Sequence, residues 1–233
     1  MVLKALRYSF PVLLGYLAIG SAFGFLMTDS GYPWWLTLVM SLAMFAGAGQ
    51  FIAVGLFAAG TTLWEAVLVQ LVVNARHIAY GLSMMNRFRD TGIFRLYLIF
   101  GLTDETFALL SALPESRALP ENSTPALANP KERAKFMFLV TLLNQSYWVT
   151  GSVIGALAGA ILPFSAEGVG FALTALFVVL MIEQMRRVRK PLIFIVSGAA
   201  AVLSVLFLPA RVSLLAAMAV ALAVGACLSP RLS

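Results

Sequence analysis

Apolar runs of about 20 residues follow one another along the whole chain, and this recurrence limits the possible folds more than any other feature. A run of that length crosses a hydrocarbon core of about 30 Å as a helix. Breaks in the pattern predict eight spans, at 11–28, 34–59, 62–85, 94–113, 136–162, 168–185, 191–208 and 211–228. Helix breakers mark the joints: Gly31 with Pro33, Gly60, Pro163, Pro191 and Pro209. Of the 233 residues, 61% are hydrophobic and 11% are charged, against roughly a quarter charged in soluble domains. A soluble bundle would lack polar helix faces to show to water. The predicted fold class is therefore all-α, a polytopic transmembrane helix bundle forming one domain over 1–233. The long polar segment at 114–135, containing "PENSTPALANPKERAK", reads as a surface loop.

The net charge of +6 does not point to nucleic acid, because the basic residues form short clusters between apolar runs, as in cytoplasmic loops. With the N-terminus inside, eleven basic residues fall inside: Lys4, Arg7, Arg117, Lys131, Arg133, Lys135, Arg186, Arg187, Arg189, Lys190 and Arg231. Four fall outside: Arg87, Arg89, Arg95 and Arg211. The expectation is a bacterial inner-membrane protein with both termini cytoplasmic. The basic stretch "NRFRDTGIFR" (86–95) is the misfit. Either the rule is overridden there or a neighbouring segment does not fully cross. Lys4 and Arg7 before an apolar run resemble a signal peptide, but the run from Tyr8 to Met27 is longer than an h-region and reads as a retained span. Cys227 is alone, which leaves no disulfide or cysteine metal cluster within one chain. A gapless echo between "SLAMFAGAGQFIAVGLFAAG" (41–60) and "TLLNQSYWVTGSVIGALAGA" (141–160) fits an inverted repeat of spans 1–3 and 4–6.

A charge near the bilayer centre costs about 2.5–3.5 kcal/mol on insertion scales, so polar clusters inside spans need a reason. "FAGAGQFIA" (45–53) places Gly47, Gly49 and Gln50 together. It reads either as close helix packing or as an unwound segment whose backbone meets a ligand. In "QLVVNARHIAYG", helical spacing puts Gln70, Asn74, His77 and Gly81 on one face, with Arg76 a quarter-turn away near Tyr80. Arg76 and His77 either snorkel at the surface or form a carboxylate-binding or proton-relay site. "LTDETFAL" (102–109) sets Asp104 and Glu105 mid-span, either as partners of an arginine or as a proton or cation path. "LLNQSYWVTGSVIGALAG" puts Asn144, Trp148, Gly151, Gly155 and Gly159 on one face. The glycines read as packing, and Asn144 and Gln145 as groups that hold a polar ligand or bridge helices. His77, with an unperturbed pKa of about 6.5, is expected to tune pH dependence and not to bind metal. No nucleotide-binding motif, H-E-x-x-H or G-x-S-x-G occurs, so an ion-driven carrier fits better than an ATP-driven pump or an intramembrane enzyme. A channel or carrier for another small solute is the alternative.

The stretches "GYLAIGSAFGFL" (15–26), "SLAMFAGAGQFIAVGL" (41–56), "VNARHIAYG" (73–81), "LTDETFAL" (102–109) and "LLNQSYWVTG" (142–151) resemble the AzlC-type branched-chain amino acid permeases. The resemblance covers most of the first 150 residues in matching order. It implies export of branched-chain amino acids and a small hydrophobic AzlD-type partner subunit, with no cofactor. In that frame, Asp104 or Glu105 would meet the substrate ammonium. Arg76, or the backbone N–H groups near Gly47 to Gln50, would meet its carboxylate.

Overall fold

The computed structural model describes residues 1–113, 129–161 and 191–208, with isolated positions at 178, 181, 182, 185, 216, 219, 220 and 223. All regular structure among them is helical. The predicted spans at 168–185 and 211–228 lie largely outside the described residues, as do the "RRVRK" cluster and residues 114–128 of the polar loop. The chain divides into two compact units, Met1–Gly60 with Val73–Ser165, and Thr61–Val72 with Ala166–Ser233.

In the second unit, α4 (Leu63–Val73) opens on a capping box. The Glu65 carboxylate accepts from the Thr62 N–H at 2.8 Å, and the Glu65 N–H donates to the Thr62 hydroxyl at 3.3 Å. A second helix, called α9 below, runs Pro191–Phe207 and starts on a proline, where no helical N–H is needed.

The first unit is built on two long helices, α1 (Val2–Asp29) and α8 (Pro130–Ile161). α1 is the one described helix both long and apolar enough to cross a membrane by length and composition. Tyr8 packs on Phe136, Tyr16 on Trp148, and Phe25 on Gly159. Residue numbers rise together, so the two helices are parallel. Small residues bring their backbones into contact: a Cβ on Gly24 would collide with the Ser152 carbonyl, and one on Gly155 with that of Ser21. The glycines of α8 are packing residues, as their spacing predicts.

Three predicted spans are interrupted helices. The span at 34–59 is α2 (Trp34–Ala43) and α3 (Gly47–Ala58), with non-helical backbone at Met44 and Ala46. The span at 94–113 is a 3₁₀ turn (Gly92–Phe94), α6 (Arg95–Phe100) and α7 (Asp104–Ala112). The span at 62–85 is α4 and α5 (Ala75–Met84), broken at Asn74. The face expected to join Gln70, Asn74, His77 and Gly81 is therefore not one regular helical face. The two halves of the 41–60/141–160 echo also take different forms: the first is broken, while the second lies within unbroken α8.

Two of the broken segments fold back on themselves. Along α1, Phe45 packs against Tyr16, Phe51 against Phe23, and Phe57 against Tyr32. α3 thus runs parallel to α1 and returns to the Tyr32 end, where α2 began. The Gln50 amide reaches back over the break to Ser41. The second hairpin, α6–α7, enters from the opposite end. Phe94 packs on Phe138, near the start of α8. Thr103 and Glu105 at its tip reach Tyr16. The chain then descends, with the Leu109 carbonyl accepting from Tyr8, and Leu113 joins the Ala5–Phe136 core. The two hairpins enter from opposite ends, and Tyr16 touches both tips.

Candidate functional site

The break at 101–103 gives the two acids their setting. Asp104 and Glu105 are not mid-helix. They occupy the first turn of α7, which starts at Thr103, whose hydroxyl accepts from the Thr106 N–H at 3.2 Å. Carboxylates belong in that turn, because unpaired N–H groups and the helix dipole favour negative charge there.

The two acids have different partners. Asp104 accepts from Arg76 Nη1 and from the Tyr80 hydroxyl, both at 2.5 Å. Arg76 and Tyr80 are one turn apart on α5, so they grip one carboxylate together. The pair is partly open, with 38% of the Arg76 side chain and 30% of that of Asp104 exposed. Glu105 accepts from the Tyr16 hydroxyl at 2.6 Å. Beyond Tyr16, hydroxyls continue: Tyr16 to Thr103 at 2.6 Å, and Thr103 to Thr106 at 3.0 Å. The Asn144 amide donates to Thr106 at 3.0 Å. This chain links α1, α7 and α8. Two buried atoms beside it make no hydrogen bond: Arg76 Nε, a donor, and Asn144 Oδ1, an acceptor.

The other predicted residues support the tips. Gln50 is fully buried; its carbonyl accepts from Trp148 Nε1 at 2.7 Å and its amide donates to Ser41 at 3.3 Å. Gly47 opens α3 flat against the Trp148 ring, where a Cβ would stand 3.0 Å from Cη2. Gly49 follows in the same turn and is buried. Gln145 ties both hairpins to α8, donating to the Leu42 carbonyl at 3.2 Å and accepting from Tyr97 at 2.5 Å. Asn74 sits at the α4–α5 break, and its carbonyl lies 3.2 Å from His77 Nδ1. The His77 ring packs edge-on to Tyr80. The structure thus joins Arg76 with Asp104, Gln50 with Trp148, and Glu105 with Asn144 through intervening hydroxyls. It leaves His77 bonded to backbone. Sequence reasoning did not single out Tyr16, Thr103 or Thr106. The signal for Thr103 was present, since a threonine just before two acids is a helix-start pattern.

A family model described as AzlC protein matches residues 11–162. The chain belongs to the AzlC family. That AzlC match contains both hairpins, Tyr16 and every residue of the site described above. A Helicobacter pylori protein named uncharacterized membrane protein is 42% identical over 79% of this chain and 78% of its own length. The Bacillus subtilis branched-chain amino acid transport protein AzlC is 37% identical over 80% of this chain and 69% of its own. The Escherichia coli inner membrane protein YgaZ is 31% identical over 79% and 74%. No solved structure matches this AzlC family member.

Proposed function

We propose that this protein is a secondary transporter that exports valine, leucine and isoleucine across the bacterial inner membrane, driven by protons and working with a small AzlD-type partner subunit. The observation that carries this reading is the meeting of two half-helix hairpins around Tyr16, with two carboxylates in the first turn of α7. Irregular backbone at membrane depth is tolerated where it lines a cavity, and carriers build their binding sites from such discontinuous helices. The name of the Bacillus relative supplies the substrate class.

A zwitterionic amino acid needs an acceptor for its ammonium and a donor for its carboxylate. The α7 carboxylates and Asn144 Oδ1 serve the first. Arg76 Nε serves the second.

The membrane arrangement that fits this function has α1, α4–α5 and α8 crossing, and α2–α3 and α6–α7 re-entering from opposite faces. Both termini remain cytoplasmic. Arg87, Arg89 and Arg95 then lie on the cytoplasmic side with Lys4 and Arg7, which removes the charge misfit. No Lys or Arg occurs between Arg7 and Arg76, and exposed Trp34 and Trp35 mark the opposite interface.

The test is efflux of labelled leucine from proteoliposomes holding the chain with its partner, with and without an imposed pH gradient. Gradient-dependent efflux of all three amino acids is expected. Correctly inserted protein that moves none of them overturns the proposal, and flux that ignores the gradient identifies a channel.

A further inference from the structure

We infer that Glu105 is the exchange site of the carrier, binding either a proton or the substrate ammonium, and that Tyr16 is the positioning residue that registers which one is bound. This rests on the transport reading above and assigns the coupling of that same site to one carboxylate.

The two acids are not equivalent. Asp104 is held by a guanidinium and a phenol, so neutralising it would strand the Arg76 charge. Glu105 is held by the neutral Tyr16 hydroxyl and its own backbone N–H, and it is exposed on its unit. A carboxylate in a span is too costly to face lipid, so that open side faces water or ligand. The groups around Glu105 are Tyr16 on α1, Arg76, His77 and Tyr80 on α5, and Asp104 on α7. α8 contributes Asn144 and Trp148 and no charge at this level.

The hydroxyl chain has two self-consistent settings. With Glu105 charged, Tyr16 must donate to it. Thr103 donates onward to Thr106. With Glu105 protonated, the carboxyl O–H donates to the Tyr16 oxygen, Tyr16 donates to Thr103, and Thr103 donates to Thr106. Each hydroxyl has one hydrogen, so the Tyr16 hydrogen turns from Glu105 to Thr103 when the carboxyl gains its proton; both 2.6 Å separations suit this, and Thr103 donates to Thr106 at 3.0 Å. The reversal is felt at both hairpins: Thr103 caps α7, and the Tyr16 ring packs edge-on to Phe45 at the other tip. An ammonium approaching Glu105 finds a negative charge only when the proton has left. The proton goes to water on the open side as the N–H⁺···carboxylate bond forms, and no bond other than O–H is broken. Competition for one carboxylate sets one proton against one amino acid.

The experiment measures leucine binding to the full chain with its partner, across pH. In the unaltered protein, the apparent Kd should rise about tenfold per pH unit below the Glu105 midpoint. Glu105→Gln should bind more weakly and lose that slope. Tyr16→Phe, which keeps the ring, should move the midpoint by about one unit or more. His77→Gln should keep the slope. A slope that survives Glu105→Gln, or disappears in His77→Gln, overturns the assignment. Infrared difference spectra separate this from the function itself. If the unaltered protein binds no branched-chain amino acid, the transport reading fails. The assignment then still stands or falls on whether a protonated-carboxyl band titrates in the unaltered protein and vanishes in Glu105→Gln.

Discussion

Tyr32 and Phe57 lie 25 positions apart in the chain, yet their rings stand 5.8 Å from centre to centre. That contact closes the open end of the α2–α3 hairpin and puts the start of α2 and the end of α3 at the same end of the unit. A crossing span would hold these residues a membrane thickness apart.

Cysteine accessibility tests this in a Cys227→Ser background. Ser30→Cys and Ala59→Cys should both label from the periplasm, and Asp90→Cys from the cytoplasm only. Opposite-side labelling of Ser30→Cys and Ala59→Cys would restore a full crossing at 34–59.

Periodicity made the helices legible, and small-residue spacing made the packing role of the α8 glycines legible, because both depend on residues near in sequence. The hairpins were not legible. A broken helix that turns back has the same composition and total length as one that continues, and only contacts with α1 distinguish the two. The helix start at the acids was missed for a related reason: hydropathy does not mark it within an apolar run, although Thr103 with two following acids is helix-start chemistry. The basic stretch at 86–95 lies between α5 and the α6–α7 hairpin. One of its arginines also holds the fold together. Arg87 donates to the Leu110 and Leu113 carbonyls at 3.2 and 2.6 Å, capping the end of α7.

Arg76 and Asp104 should behave as one unit. Arg76→Gln alone leaves a carboxylate short of its cation, and Asp104→Asn alone leaves the reverse. Each single variant should reach the membrane poorly, and the double variant should recover most of the lost level. Quantitative blotting of membrane fractions reads this. Equal, additive losses would show that the two side chains act independently.

The glycine contacts predict a sharp contrast between positions on one helix. Gly24→Val would force α1 off α8, because the collision is with backbone at Ser152. A loss of about 1–3 kcal/mol or more is expected from overpacking. Gly15→Val meets nothing within 4 Å and should be tolerated. Thermal unfolding of the detergent-solubilised protein compares them. Similar midpoints for both variants would contradict the close approach.

Gln145 is the described residue whose side chain bonds to both hairpins, through the Leu42 carbonyl and the Tyr97 hydroxyl. The Leu42 carbonyl is one of the last in α2, with no helical N–H left to meet it, and hydrocarbon offers no water in its place. Gln145→Leu removes both bonds at nearly the same volume. It should cost about 1–3 kcal/mol for each buried group left unsatisfied. Gln145→Glu separates the two contacts, because a carboxylate still accepts from Tyr97 but opposes the Leu42 carbonyl. If the outer hairpin depends on this anchor, both variants should expose its tip, and Met44→Cys in either background should react faster with a membrane-impermeant thiol reagent than in the unaltered sequence. If only Gln145→Leu speeds the reaction, the Tyr97 contact holds the site together. Unchanged rates in both would show that Trp148 and Gln50 hold the tip without help.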